Sequence, residues 1–334
     1  MNTLHGKTIL VTGATGLIGS SLVYALMKMG EINVIALSRN EQKLKRAFSP
    51  LIDKSGFAYI TQDISEPIQI STQIDVIFHA ASPIAGKTIV EKPIDVIKPN
   101  LMATQNLLEL LRQQKAKTGI NGRIVIFSSA TVYGNNTSLD IKVTENDTCI
   151  ADSLESSSAP YSESKRMAEV LARAYIKQYG VDAVIARPSY VYGNTLFPPE
   201  TAIYEFIEKA VAGEDIVLRN SGASKRDNIF IDDVVSGLFT ILLKGETGQA
   251  YNISTAGELE SFAAIDEIAG LIADITNEKM KSSIHVVYQM SKTDTRKPGV
   301  MLDNNKLKSL GWKPLVGLKD GLNIMITPNR LNKN

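Results

Sequence analysis

Residues 7–30 constrain the fold more than any other stretch. They begin Lys7-Thr8-Ile9-Leu10-Val11-Thr12-Gly13-Ala14-Thr15-Gly16-Leu17-Ile18-Gly19 and run on to Gly30. An apolar run meets three glycines spaced three apart, and a helix-period pattern follows (Leu17, Ile18, Leu22, Val23, Leu26). This pattern is that of a buried parallel strand, a tight turn and a helix start. Glycine lets the backbone turn and approach a ligand closely. A helix N-terminus presents unpaired N–H groups and a positive dipole end, which attract phosphate. The stretch therefore predicts a dinucleotide pyrophosphate site at Gly13, Thr15, Gly16, Leu17, Ile18 and Gly19. Taken alone, a strand–helix turn that needs glycine only for packing would read the same way.

The same rhythm continues. Residues 33–37 form a second apolar run, ending at Ser38-Arg39-Asn40. An acid at this point binds the ribose 2′-hydroxyl of NAD. Serine and arginine suit a 2′-phosphate instead, because arginine pairs with phosphate in a bidentate fork. NADP is thus favoured over NAD, although Lys43, Lys45 and Arg46 would equally extend a plain basic helix. Further strands are expected at 57–60 (leading to Asp63-Ile64), 75–79 (leading to Ala80-Ala81-Ser82) and 123–127 (leading to Ser128-Ser129). A helix is expected at 100–111, starting at Asn100. A long polar loop spans 135–160, and a helix opening at Tyr161 runs to about 179. A sixth strand at 181–186 leads to Arg187-Pro188-Ser189-Tyr190-Val191-Tyr192-Gly193-Asn194. Strands alternating with helices predict an α/β fold with a doubly wound parallel sheet, whose ligands sit at the carboxyl ends of the strands. Beyond 193 the elements are short and mixed: helices at 202–212, 232–244, 261–277 and 304–310, strands at 215–219, 228–231 and 250–253, and an extended piece at 285–288. The expected division is a dinucleotide-binding domain over 1–193 and a smaller α/β substrate lobe over 194–334, with parts of the chain crossing between them.

Three residues carry the sharpest chemistry. Tyr161 and Lys165, four apart, share a helix face, and Ser129 closes the fifth strand. A phenol titrates near ~10, too high for a base at neutral pH. A neighbouring ammonium lowers that value by stabilising the phenolate. With a serine hydroxyl holding the substrate oxygen, such a set can take a proton from an alcohol while its carbon gives up a hydride.

Bulk properties exclude other classes. Among 334 residues, 36 Lys and Arg against 35 Asp and Glu leave a net charge of +1, too little to recruit nucleic acid. The single cysteine, Cys149, excludes an internal disulfide and reads as incidental. His5, His79 and His285 are too scattered for a metal centre, and His79 reads as structural. No run approaches the ~18 apolar residues of a membrane span. With the first strand entered by Thr8, no room for a signal peptide is expected, and the expected setting is cytoplasmic.

The chain resembles the extended short-chain dehydrogenase/reductase family, the NAD(P)-dependent epimerase/dehydratase group that acts on nucleotide sugars. The resemblance runs nearly end to end. Residues 12–19 are similar to its T-G-x-x-G-x-x-G loop, and 128–134 to its S-S-x-x-V-Y-G. Tyr161 and Lys165 fall on its Y-x-x-x-K, and Arg187-Pro188 with 191–193 on its R-P-x-x-V-Y-G. Arg226-Asp227 with Asp232-Asp233-Val234 falls on its R-D-F-x-x-x-D-D-V, and 311–314 on its terminal L-G-W-x-P. The resemblance implies a Rossmann-type sheet, with Ser129, Tyr161 and Lys165 as the catalytic set. It implies adenine contacts from Asp63-Ile64, and cofactor contacts from Ala80, Ala81, Ser82, Asn100, Ser128, Tyr161, Lys165, Pro188 and Val191. Substrate contacts are implied for Ser82, Ser129, Ala130, Thr131, Tyr161, Asn194 and Arg226, with Arg226 holding a diphosphate. A homodimer is implied through the helices at 100–111 and 166–179.

The chain departs from the pattern at four places. Ala103 replaces a glycine, Tyr190 stands where many members carry Asn, and Asn228 replaces Phe. Ala130-Thr131 replaces the Asp-Glu of 4,6-dehydratases and the Glu of decarboxylases, which argues against elimination and decarboxylation. The expected activity is nucleotide-sugar epimerisation at C4 through a keto-sugar. Alternatives are an NADPH-dependent reductase of a keto-sugar or related carbonyl and, in another class, a non-catalytic dinucleotide sensor.

Overall fold

The computed structural model describes residues 4–82, 86–134, 141–147, 151–289 and 299–327. Cys149 and parts of the 135–160 loop lie outside them. In chain order, the first half contains β1 (Thr8–Thr12), α1 (Leu17–Met29), β2 (Asn33–Ser38), α2 (Glu41–Ala47), β3 (Phe57–Thr61), β4 (Val76–His79), α3 (Gly86–Glu91), α4 (Ile94–Thr118), β5 (Arg123–Phe127) and β6 (Ile141–Val143). Then follow α5 (Ala159–Tyr179), β7 (Asp182–Pro188), β8 (Tyr190–Tyr192), α6 (Ala202–Val211), β9 (Ile216–Leu218), β10 (Lys225–Phe230) and α7 (Ile231–Lys244). The rest comprises β11 (Ala250–Ile253), β12 (Phe262–Ala264), α8 (Ile265–Met280), β13 (Val286–Tyr288), β14 (Val300–Leu302), α9 (Asn305–Ser309) and α10 (Leu318–Met325).

Seven strands form one sheet in the order β11-β7-β5-β4-β1-β2-β3. Every pairing in it is parallel. Side chains alternate across its two faces. Ile9, Val11 and Val125 join the core under α1 and α7, whereas Leu10, Ile124 and Ile126 join the core under α4 and α5. Burial on both faces explains why these strands read as unbroken apolar runs. The sheet order reverses between β1 and β4, so their carboxyl ends open a crevice there. A second sheet, β12-β10-β8, stands beyond the carboxyl end of β7. The chain after 193 also returns to the large sheet through β11, which pairs with β7.

Three expectations need correcting. The helix at 100–111 begins earlier, at Ile94, and runs through Pro99. A proline removes a helical donor and so reads as a boundary. The stretch 261–277 is not one helix: residues 262–264 pair antiparallel with β10 before α8 starts at 265. The loop after β5 contains β6, three residues long and parallel to β14. β6 and β12, like the equally unexpected β8 and β14, have three residues each, too few to show a period.

Candidate active site

The glycine turn is built for close approach. Gly13 has φ +63°, and a Cβ on it would lie 2.6 Å from the Ala81 Cα. A Cβ on Gly19 would run into the Gly13 carbonyl and lie 2.9 Å from the Ala14 Cα. The first glycine therefore lets β1 and β4 converge, and the third lets α1 seat on the turn. At Gly16, the N-cap, no side chain caps α1, and its first turn holds no acid. The helix N-terminus thus keeps its donors and its positive end for an anion.

Beside this turn lies a cavity of about 210 Å³. Gly13, Thr15, Gly16, Ser38, Arg39, Asp63, Ile64, Ala80, Ala81 and Ser82 line it, together with Leu37, Gln62 and Pro99. Ten residues expected from sequence to contact the cofactor thus share one groove. The Ser38 and Thr15 hydroxyls are hydrogen-bonded at 3.0 Å. Asp63 accepts from the Ser65 N–H at 2.8 Å, which shapes the loop after β3. A glycine cradle, an uncapped helix start and an elongated groove across the switch point fit a dinucleotide. Leu17 is buried and Ile18 packs against the core, so their side chains hold α1 in place.

A second cluster stands where β4, β5 and α5 meet. Pro160 opens α5 in its first turn, a position where a missing N–H costs nothing, and Tyr161 follows it. The Ser129 and Ser82 hydroxyls lie close enough to the Tyr161 phenol to favour its ionised form. Ser82 donates to the Asn100 side-chain oxygen at 2.8 Å, and Asn100 donates to the Ser164 hydroxyl at 2.8 Å. The Ser129 hydroxyl also accepts from the Thr131 N–H at 3.2 Å. Lys165 donates to the Phe127 carbonyl at 2.6 Å, and its ammonium lies 5.9 Å from the Tyr161 ring centre.

The electrostatics differ from the expectation of a depressed phenol. Burial raises the Tyr161 pKa, and the Ser129 and Ser82 hydrogen bonds only partly oppose that rise. Burial likewise drives Lys165 down to about 7, against the opposing charge of Glu169. The groups are poised from both sides: a phenol held protonated, and an ammonium near neutrality in its pKa. Sequence spacing set the two on one helix face but could not weigh desolvation against pairing.

His79 sits behind this cluster, 2% exposed. Its Nδ1 bonds the Thr12 hydroxyl at 2.9 Å and its Nε2 the Thr104 hydroxyl at 3.2 Å. Burial, and next the charge of Lys165, push it down to about 3. The folded state thus refuses a proton that the unfolded chain accepts below 6.5. Stability from this residue is full above that value and is lost as pH falls. At pH 5 the loss is about 2 kcal/mol. Urea unfolding at pH 7.5 and pH 5 should show it, and His79→Asn should narrow the difference by that amount. An unchanged difference would contradict a neutral buried His79.

Several positioning residues escaped the sequence reading. Glu169, one turn beyond Lys165, pairs with Arg187 at 2.7 and 2.9 Å and accepts from the Ser128 hydroxyl at 2.6 Å. The Ser128 hydroxyl is therefore committed to Glu169 and not to the groove. Arg187 also donates to the Tyr133 hydroxyl at 2.8 Å, and Tyr133 to Asn252 at 2.6 Å. The repeated spacing Tyr161, Lys165, Glu169 was the signal available for Glu169.

The remaining expected residues are placed as follows. Pro188 is buried at the end of β7, in register with Ile253, and Val191 pairs with Ile229. Asn194 is exposed. Ala130 and Thr131 form the single 3-10 turn after Ser129, and the Thr131 hydroxyl is buried without a hydrogen-bond partner among the described residues. Arg226, on β10, packs its guanidinium over the Tyr190 ring at 4.9 Å and donates to Lys225 O at 3.0 Å.

Comparison with known proteins agrees with the α/β fold. The NAD dependent epimerase/dehydratase family model matches residues 9–254. UDP-glucuronic acid decarboxylase 6 of Arabidopsis thaliana is 30% identical, over 97% of this chain and 89% of its own length. A trifunctional UDP-glucose 4,6-dehydratase/UDP-4-keto-6-deoxy-D-glucose 3,5-epimerase/UDP-4-keto-L-rhamnose-reductase of the same plant is 29% identical over 96% of this chain. The chain spans only 46% of that enzyme's length. Among solved structures, UDP-glucuronic acid 4-epimerase from Bacillus cereus, in complex with UDP-glucuronic acid and NAD, is 25% identical with a TM-score of 0.78. It covers 97% of this chain and 99% of its own.

Proposed function

We propose a reaction for this chain from one premise: it belongs to the NAD dependent epimerase/dehydratase family, whose model matches residues 9–254. It is an enzyme of the extended short-chain dehydrogenase type that uses a nicotinamide dinucleotide. Within that family the reading best supported is a nucleotide-sugar epimerase acting at C4. The observation that carries it is the hydroxyl cluster of Tyr161, Ser129 and Ser82, backed by Lys165 and unaccompanied by an acid at 130–131.

The dinucleotide would be held by the 13–19 turn, Ser38, Arg39, Asp63, Ile64, Ala80, Ala81, Ser82 and Asn100, with Pro188 and Val191 at the nicotinamide end. When bound, the nicotinamide supplies reversible hydride uptake at the sugar carbon. Tyr161, once ionised to the phenolate, takes the proton from the sugar O4 and later returns it. Ser129 holds that oxygen beside the phenol. Lys165, anchored on the Phe127 carbonyl, favours the phenolate that has to exist before this transfer. Arg226 meets the diphosphate, and Ala130, Thr131 and Asn194 border the sugar. Relatives in the family include a decarboxylase and a dehydratase. Here Thr131 offers a hydroxyl and no carboxyl group, so an elimination or decarboxylation lacks its extra acid or base. The division at 193/194, a homodimer and a cytoplasmic setting are part of the same reading. Exposed Met102, Met167 and Val170 on α4 and α5 favour the dimer.

The test is incubation of the holoenzyme with UDP-glucose or UDP-galactose, without added reductant, followed by NMR. Interconversion of the two supports the reading. Stoichiometric NADPH oxidation on a keto-sugar instead supports the reductase, which the end of β2 also favours.

That end speaks for NADP, since Arg39 lines the groove and Ser38 stands where an NAD site carries an acid. The Bacillus cereus neighbour binds NAD. Arg39→Ala should weaken NADP binding by about 10–100-fold, the worth of one charge-assisted phosphate contact, and barely alter NAD binding. Calorimetric titration of both dinucleotides decides it. Tighter NAD binding by the wild type, with no effect of the substitution, would overturn the preference.

A further inference from the structure

Lys43 and Arg46, one turn apart on α2, both lie over the ring of Phe197, at 5.2 and 5.7 Å from its centre. Both residues are exposed, and neither side chain forms a hydrogen bond or an ion pair among the described residues. Two cations that could spread into water are thus gathered on one aromatic ring. The ring comes from the other half of the chain, from the segment between β8 and α6, and packs in part against the core.

That segment, residues 194–201, is a finger built to hold its tip still. Its base is closed by Tyr204 on α6, whose hydroxyl donates to the Gly193 carbonyl at 2.8 Å and accepts from the Gly193 N–H at 3.2 Å. The Thr195 hydroxyl accepts from the Phe197 N–H at 3.3 Å. Pro198 and Pro199 fix φ just beyond the tip, and the Thr201 N–H donates to the Pro199 carbonyl at 2.8 Å. On the opposite side, the Asn40 side chain caps α2 by accepting from the Lys43 N–H at 2.9 Å. Arg39, the residue before that cap, lines the cofactor groove. The finger leaves β8 just after Val191, at the proposed nicotinamide end, and its tip meets α2 just beyond Arg39, at the ribose end. It bridges the two ends of the groove.

We infer that the 194–201 finger is a latch on the bound dinucleotide, with Phe197 as its positioning residue. While the ring holds Lys43 and Arg46, the segment after β8 stays against α2, and the dinucleotide leaves only when that contact parts. This rests on the dinucleotide groove and not on the reaction at the sugar. Each cation is attracted by the quadrupole of the ring, and both attractions act on the same ring. The finger is already ordered by its own hydrogen bonds and prolines, so little further ordering opposes closure.

The experiment follows release of NADH or NADPH from the loaded enzyme by nicotinamide fluorescence, in a stopped-flow chase with excess oxidised dinucleotide. Phe197→Ala should release either one about tenfold faster, the worth of the two ring contacts. Phe197→Leu keeps an apolar side chain but no aromatic face, and should release as fast as Phe197→Ala. Phe197→Trp should stay at the wild-type rate. A merely structural role at 197 would instead leave Phe197→Leu at the wild-type rate. The double substitution Lys43→Met and Arg46→Met removes both charges from an exposed helix face. It should reproduce the faster release of NADH, which carries no 2′-phosphate for those charges to meet, and it keeps the test decisive if Phe197→Ala fails to fold. Unchanged NADH release from the double variant, or wild-type release from Phe197→Leu, would overturn the latch. If the wild type binds neither dinucleotide, the cofactor groove and the latch fail together. If it binds them but turns over no nucleotide sugar, faster release from the variants still supports the latch while the epimerase reading fails.

Discussion

Tyr161→Phe lowers turnover by about 10²–10⁴-fold, the range for losing a positioned general acid–base group. The substitution removes one oxygen and keeps the ring, so packing of α5 is preserved. Dinucleotide affinity and substrate KM should move little, because the interaction lost matters only as the proton moves. The structure adds a condition. Burial holds the phenol above its ordinary value, and Ser129 and Ser82 lower it only in part. Lys165, brought down to about 7, supplies its full charge only below that pH. Activity should therefore need both a phenol that can ionise and an ammonium that has not. Steady-state kinetics and cofactor titration on the same preparation check this. A Tyr161→Phe enzyme within tenfold of wild type would place the proton transfer elsewhere.

The second large effect is on stability. Glu169→Ala should lower the unfolding free energy by about 3–5 kcal/mol, the usual result of removing one member of a buried ion pair. Arg187 and Glu169 have side chains only 10% and 7% exposed. Without Glu169, the Arg187 guanidinium keeps Tyr133 and the Glu145 carbonyl but loses its only carboxylate among the described residues. The Ser128 hydroxyl loses its acceptor as well. Glu169→Gln should recover part of the loss, since an amide still accepts from Arg187. Urea unfolding of the three proteins measures it. A loss below 1 kcal/mol in Glu169→Ala would mean that the pair is not what holds β5, α5 and β7 together.

How much of this was legible beforehand depended on whether the signal was local. Strand runs such as Ile9-Leu10-Val11 are apolar because both sheet faces are covered, so the large sheet could be read directly. The glycine turn was legible because only glycine tolerates the φ of residue 13 and its approach to Ala81. Tyr161, Lys165 and Ser129 were legible as types at strand and helix ends. The long-range pairs were not. Nothing near Glu169 announces Arg187, eighteen positions on, and Asn252 reaches Tyr133 across 119 residues. Three-residue strands such as β6 and β12 carry too short a pattern to tell from loop or helix. The direction of the Tyr161 shift depends on desolvation, which no spacing encodes.

The most direct measurement follows deuterium. UDP-glucose labelled at C4 is incubated with holoenzyme in the presence of excess unlabelled NAD and NADP, and the products are analysed by NMR and mass. Ser129, Tyr161 and Lys165, acting on a sugar that turns within the site, predict UDP-galactose with the deuterium still at C4 and none in the added dinucleotides. Deuterium in the dinucleotide pool, with a keto-sugar released and no epimer formed, would contradict epimerisation at this site.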